Sequence, residues 1–166
     1  MNSKELFVRD TTVIKQSDNL YTAEVSENWS IGNTANGGYS MTIAARVMSE
    51  FLEHKDPLSI SAHYLDRVDF GSTESHVTHH SSSKSLSTAR VEVIQDNKIK
   101  IIFVGTFTDF SFKNDMNIYE RDVPNFPEYN SCEVIPYKEG FNPKLDKNIE
   151  KAYAQDSLWW KKDIDN

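Results

Sequence analysis

The 166-residue sequence predicts an α+β unit, one long helix wrapped by an antiparallel sheet, on three observations. Apolar residues recur at three- and four-residue intervals from Tyr39 to Leu52; four strand-like segments follow Pro57; and no second helical period interrupts them. A chain of this length with 38% hydrophobic content can bury one core, so a single domain is the starting expectation.

The helix is read from Met41, Ala44, Ala45, Met48, Phe51 and Leu52, with Arg46, Ser49, Glu50 and Glu53 falling mainly elsewhere. It is expected to start just after Gly37-Gly38 and to end near His54, because Pro57 disfavours helical backbone in the residue before it. About sixteen residues would span roughly 24 Å, enough to cross a whole sheet. Ahead of it, Tyr21 to Val25 alternates as a short strand, and Ser26 to Gly38 is loop-like in its Ser, Asn and Gly content.

The four later strands are expected at Ser59 to Val68, Thr73 to His80, Ser87 to Gln95 and Lys98 to Phe107. Ala89, Val91 and Val93 alternate with Arg90 and Glu92, and Asp96-Asn97 is a tight-turn candidate that makes the last two strands a hairpin. The last strand places Ile99, Ile101, Phe103 and Phe107 on one face and Ile102 and Val104 on the other. Both faces ask for burial, and a single helix covers only one, so a further sheet, chain or domain is expected on the second.

Beyond Phe110 the texture turns to Asn, Asp, Glu, Pro and Lys, and an irregular C-terminal extension follows. Its end carries Tyr153, Leu158, Trp159 and Trp160, which read as a docking segment or as a strand lacking its partners. The net charge of −7 argues against nucleic acid as the main partner. No apolar run is long enough for a membrane span, the first ten residues lack a signal-peptide core, and Cys132 is the single cysteine, so a cytoplasmic location is expected.

The stretch Trp29-Ser30-Ile31-Gly32-Asn33-Thr34-Ala35-Asn36-Gly37-Gly38-Tyr39 resembles the Trp, short loop and Asn/His-Gly-Gly-Tyr turn that precedes the central helix in acyl-CoA thioesterase-like proteins of the thioesterase II, double-hotdog type. Pro57 to Leu65 looks like the strand after that helix, and Gly71 and Ser81 to Ser87 fall where the family has its next turn and hairpin. The resemblance covers roughly Leu20 to Phe110 and implies a hotdog fold over residues 1–112. Residues 113–166 would then be a linker and the start of an incomplete second hotdog. It implies an acyl-CoA or other acyl thioester as ligand, no cofactor, and a homodimer or a second hotdog domain as structural partner. In the thioesterase II type the catalytic Asp, Thr and Gln belong to the second domain, and no residue here matches them.

Thioester hydrolysis needs a polarised carbonyl and an activated water. Gly37 and Gly38 stand at the expected helix N-terminus, where bare backbone admits a substrate and free N–H groups favour charge on oxygen; they also simply shape the turn. For the base, Glu50 lies ~18 Å along the helix, out of reach. Asp66 and Asp69 are better placed if their strand end returns to the helix start, the alternative being solvated loop acids. The expected site is thus Gly37, Gly38 and Asp66 for catalysis, with Trp29, Asn33, Asn36, Tyr39 and Tyr64 binding substrate; Trp29 and Tyr39 equally suit a core.

Other chemistries fit less well. His76, His79 and His80 invite a metal reading, but His79 and His80 point to opposite faces of a strand and do not readily share one ion, so no metal is expected. Ser40 lacks a Gly-x-Ser-x-Gly setting, and the glycines make no nucleotide fingerprint. Lys84, Arg90, Lys98 and Lys100 are either a local basic surface for coenzyme phosphates or ordinary solvent-face charges. Two functions follow: hydrolysis of acyl thioesters, or a non-catalytic acyl-binding or assembly module truncated from a two-domain thioesterase.

Overall fold

The chain enters through a short helix, α1 (Ser3–Asp10), followed by β1 (Ile14–Lys15) and β2 (Leu20–Val25). A 3₁₀ turn at Glu27–Trp29 leads into the small hairpin β3 (Ser30–Ile31) and β4 (Thr34–Ala35), and then into the long helix α2 (Gly37–Phe51). Four strands follow: β5 (Asp56–Tyr64), β6 (Gly71–Ser82), β7 (Ser87–Gln95) and β8 (Lys98–Thr108). Beyond them lies a two-stranded ribbon of β9 (Glu133–Ile135) and β10 (Lys151–Tyr153). This computed structural model describes residues 2–111, 122 and 124–158.

The main sheet is antiparallel with strand order β1-β2-β6-β7-β8-β5. Its concave side holds α2, which buries Ile43, Ala44, Val47 and Met48 against Val77, Val91, Phe103 and Phe107. The buried stripe is rotated from the expected one: Ile43 and Val47 join it, while Met41, Ala45 and Phe51 pack at its flanks. The sheet wraps far enough to cover two adjacent rows of the helix, which the spacing of one row could not reveal.

The helix starts two residues earlier than expected, at Gly37, because Asn36 caps it: its Oδ1 accepts from the Tyr39 N–H at 3.1 Å. It stops at Phe51, where Leu52 turns extended. Asp96 and Asn97 both take positive φ, 51° and 58°, as a two-residue hairpin turn of the I′ type requires. In β8 the register slips where Val93 pairs with Ile101 but Ile94 pairs with Ile99, leaving Lys100 as the extra residue of a bulge. The slip takes Ile99 off the core face, contrary to the alternation, and leaves it 39% exposed beside half-buried Ile102 and exposed Val104.

β5 begins at Asp56, with Pro57 tolerated on an edge strand at a second register shift, and it leaves the sheet after Tyr64 rather than Val68. Helix α1 was not expected; it forms through a capping box in which Asn2 and Glu5 satisfy each other's backbone N–H groups. Its last residue, Asp10, is buried and ties the N-terminal strap down. The carboxylate accepts from Asn28 Nδ2 at 2.8 Å and Trp29 Nε1 at 3.1 Å, and its carbonyl accepts from the Tyr39 hydroxyl at 2.6 Å.

The described part of the extension folds back onto the same corner. Lys144 pairs with Glu27, Asn148 Nδ2 donates to the Asn28 carbonyl at 2.9 Å, and Leu145 packs on the core. Leu158 is buried, whereas Trp159 and Trp160 lie outside the described residues. Among the described residues no helix is long and apolar enough to cross a membrane.

Two outcomes follow. A Cβ on Gly105 would lie 2.5 Å from Met48 Sδ and 3.1 Å from Phe107, so Gly105→Ala overpacks the helix–sheet contact and costs about 1–3 kcal/mol, read as a lower denaturant midpoint at unchanged slope. For Asp10, burial pushes the carboxyl pKa up, but hydrogen bonds from Asn28, Arg9, Ser26 and Trp29 outweigh it and leave the pKa below its ordinary value. A depressed carboxyl stabilises the fold above the unfolded value near 3.8 and loses that effect as pH falls through the folded value. Thermal melts of Asp10→Asn should therefore fall below wild type at neutral pH and converge with it toward acid.

Candidate functional site

The start of α2 is an exposed helix N-terminus with two unsatisfied amides. Asn36 Oδ1 takes the Tyr39 N–H and the Asn36 carbonyl takes the Ser40 N–H, while the N–H groups of Gly37 and Gly38 have no acceptor among the described residues. They point where the helix dipole is positive, so this corner favours an electron-rich oxygen.

The end of β5 does return to this corner. The Tyr64 hydroxyl donates to the Gly37 carbonyl at 2.9 Å, and its ring meets Phe103 edge-on with centroids 6.2 Å apart. The chain then turns through Leu65 and Asp66, whose N–H groups both donate to the Lys100 carbonyl at 2.9 and 3.0 Å. At Val68 the carbonyl takes the Ala35 N–H at 3.2 Å and the Thr34 hydroxyl at 3.1 Å, closing the loop onto β4. Between them lies a cleft of about 270 Å³ lined by Gly37, Ser40, Tyr64, Asp66, Arg67 and Ile101, among others.

Of the residues expected from sequence, the structure brings Gly37, Tyr64 and Asp66 to this one cleft, with Gly38 next along the helix and Asn36 as its cap. Asn33 is exposed on the β3–β4 turn, following Gly32 at φ 62°. Trp29 and Tyr39 lie behind the site in the core, nearly stacked with ring centroids 6.1 Å apart and both hydrogen-bonded to Asp10. Asp69 faces Arg67 at 3.3 Å, and its N–H donates to Gln95 Oε1.

Asp66 is an ionised carboxylate. The Lys100 ammonium, 2.9 Å from Oδ2, and the Arg67 N–H, 2.8 Å from Oδ1, hold its pKa below the ordinary value. Lys100 itself has a buried side chain, carried there by the β8 bulge. Sequence reasoning passed over this pairing and over Arg67; the available signal was a lysine set among Ile99, Ile101 and Ile102. The other expected cations do not gather: Lys84 precedes β7 and Lys98 follows it, about 30 Å apart along a nine-residue strand, and Arg90 pairs with Glu92. Among the described residues no group of three His, Cys, Asp or Glu stands where it could hold a metal ion.

Comparison with known proteins bears on the fold. Residues 25–109 match the family model of the acyl-CoA thioesterase N-terminal domain. Among solved structures, a provisional thioesterase II from Thermobifida fusca YX superposes with a TM-score of 0.80 at 19% identity, over 95% of this chain and 58% of its own. A protein of unknown function with the hot dog fold from Alicyclobacillus acidocaldarius gives 0.69 at 12% identity, over 84% of this chain and 52% of its own. Smu.793 from Streptococcus mutans, solved bound to acetyl CoA, gives 0.50 at 17% identity, over 58% and 85%. The chain thus spans little more than half the length of the first two. No curated protein matches the sequence. With just over half of its residues in the matched segment, the chain belongs to the acyl-CoA thioesterase family, as its N-terminal domain in the hotdog fold.

Proposed function

We propose that the chain binds acyl-CoA or a related acyl thioester at the start of α2 and promotes its hydrolysis, with the Gly37 and Gly38 N–H groups polarising the thioester carbonyl. The observation that carries this reading is the pair of free amides at a helix N-terminus, with Gly37 on the wall of a partly apolar cleft. As water attacks, the carbonyl oxygen gains negative charge beside those donors; collapse of the tetrahedral species breaks the C–S bond, and the proton the water gives up ends on the departing thiolate, leaving free thiol and free acid. The acetyl CoA bound to smu.793 of Streptococcus mutans supports the ligand class.

Asp66 borders the cleft as an anion. Because Lys100 and the Arg67 N–H keep it a weak base, it suits orienting a water or a donor better than abstracting a proton near neutrality. That same observation favours the second reading, a module that binds acyl thioesters without turnover. Residues 113–166 fit as a linker and the opening of a second hotdog, and that domain or a second copy would cover Ile102 and Val104; a cytoplasmic setting suits such a protein.

Purified protein mixed with short, medium and long acyl-CoAs should release free thiol, detected with a thiol reagent. Gly37→Pro removes one donor at a position where proline is accepted, since Asn36 is already extended, at the cost of a small shift of the Tyr64 ring. The expected loss is about 10²–10³-fold in kcat with the circular dichroism spectrum retained. Ligand-induced stabilisation without thiol release would assign the binding module instead. In Lys100→Met, the Asp66 carboxyl should titrate closer to its ordinary value near 3.8 by NMR, and any acid limb of the pH–rate profile that Asp66 governs should move up with it.

A further inference from the structure

Tyr64 occupies the wall of the cleft nearest the free amides, and it is fixed there from two sides. Its hydroxyl donates to the Gly37 carbonyl, and its ring edge rests against buried Phe103. The ring lies so close over Gly37 that a Cβ there would come within 3.0–3.2 Å of Tyr64 Oη, Cζ and Cε1. Yet the residue is 52% exposed, so its outer side faces solvent. Its ring forms one wall of a cleft that is itself open to solvent, so shortening it widens the cleft instead of leaving a sealed void.

The cleft is small. At about 270 Å³ it falls below the ~300–1,000 Å³ of ordinary small-molecule sites. Its apolar lining comes from Ala35, Leu65, Val68 and Ile101. Tyr64 borders the same cleft as Gly37, so a group whose carbonyl sits at the Gly37 amide has only a short apolar wall to lie on before it meets the Tyr64 ring.

From this we propose that Tyr64 is a specificity-determining residue that restricts the site to short acyl groups, the phenol being held across the path a longer chain would take. The inference rests on the proposed acyl-thioester site, and it deepens that reading by naming the substrate class. Because one methylene in a hydrophobic pocket is worth about 10–200-fold in selection, removing the ring should produce a large change in length preference.

The test uses the full chain and a series of non-hydrolysable acyl-CoA thioether analogues of increasing chain length, with affinities measured by calorimetry. Wild type should bind the short analogues and lose affinity steeply with length. In Tyr64→Ala the long-to-short affinity ratio should rise at least about tenfold, while Tyr64→Phe, which keeps the ring, should hold it within about threefold of wild type. Tyr64→Leu retains an apolar contact for Phe103 and replaces the alanine variant should that one fail to fold. An unchanged length profile in a folded alanine or leucine variant overturns the proposal, as does a wild type that already prefers long chains. Graded binding of the analogues by a protein that releases no thiol from acyl-CoA itself overturns hydrolysis alone and leaves this inference standing; a wild type that binds no analogue of any length overturns both.

Discussion

The close approach of α2 to the sheet at Gly105 and Met48 is the constraint from which the rest of the molecule follows. A side chain at residue 105 would collide with Met48 Sδ, so the helix axis lies as near the sheet as glycine allows. That depth lets the strands curl around two rows of helix residues and bury Ile43, Ala44, Val47 and Met48. It also determines where the helix begins. With the axis seated on β8, Gly37 falls opposite the end of β5, and Tyr64 reaches its carbonyl. The corner that carries the free amides is a consequence of how the core packs.

A second layer of support stands behind that corner. Trp29, Tyr39 and Asp10 form a buried polar–aromatic cluster in which the Asp10 carboxylate and carbonyl are both hydrogen-bonded. An unpaired buried carboxylate would be costly, so the cluster holds only if α1 and the Glu27–Trp29 turn keep their mutual positions. The extension adds Lys144 and Asn148 to the same turn. The loop that delivers Asn36, Gly37 and Gly38 is thereby braced at its far end, although Asn33 at its tip remains exposed.

Electrostatics at the cleft divide between backbone and side chains. The helix start offers N–H donors and a positive dipole end, which need no titration and act at any pH. Asp66 brings the opposite sign, but Lys100 and the Arg67 N–H already occupy its oxygens. The cleft thus presents backbone donors at the helix start beside a carboxylate that is already paired.

Taken alone, the sequence determined the parts whose signals are local. The period of α2, the alternation of β7, the Asp96-Asn97 turn and the Gly37-Gly38 helix start are written in neighbouring residues, because dihedral preference and side-chain spacing act over a few positions. Tertiary structure decided what depends on distant partners. Asp10 acquires its meaning only when Trp29 and Tyr39 close over it, the β8 bulge takes Ile99 off the core face and lodges Lys100 against Asp66, and Tyr64 becomes a wall only once β5 reaches the helix start. Those outcomes turn on register and on close packing between segments far apart in the chain, and no pattern of adjacent residues encodes them.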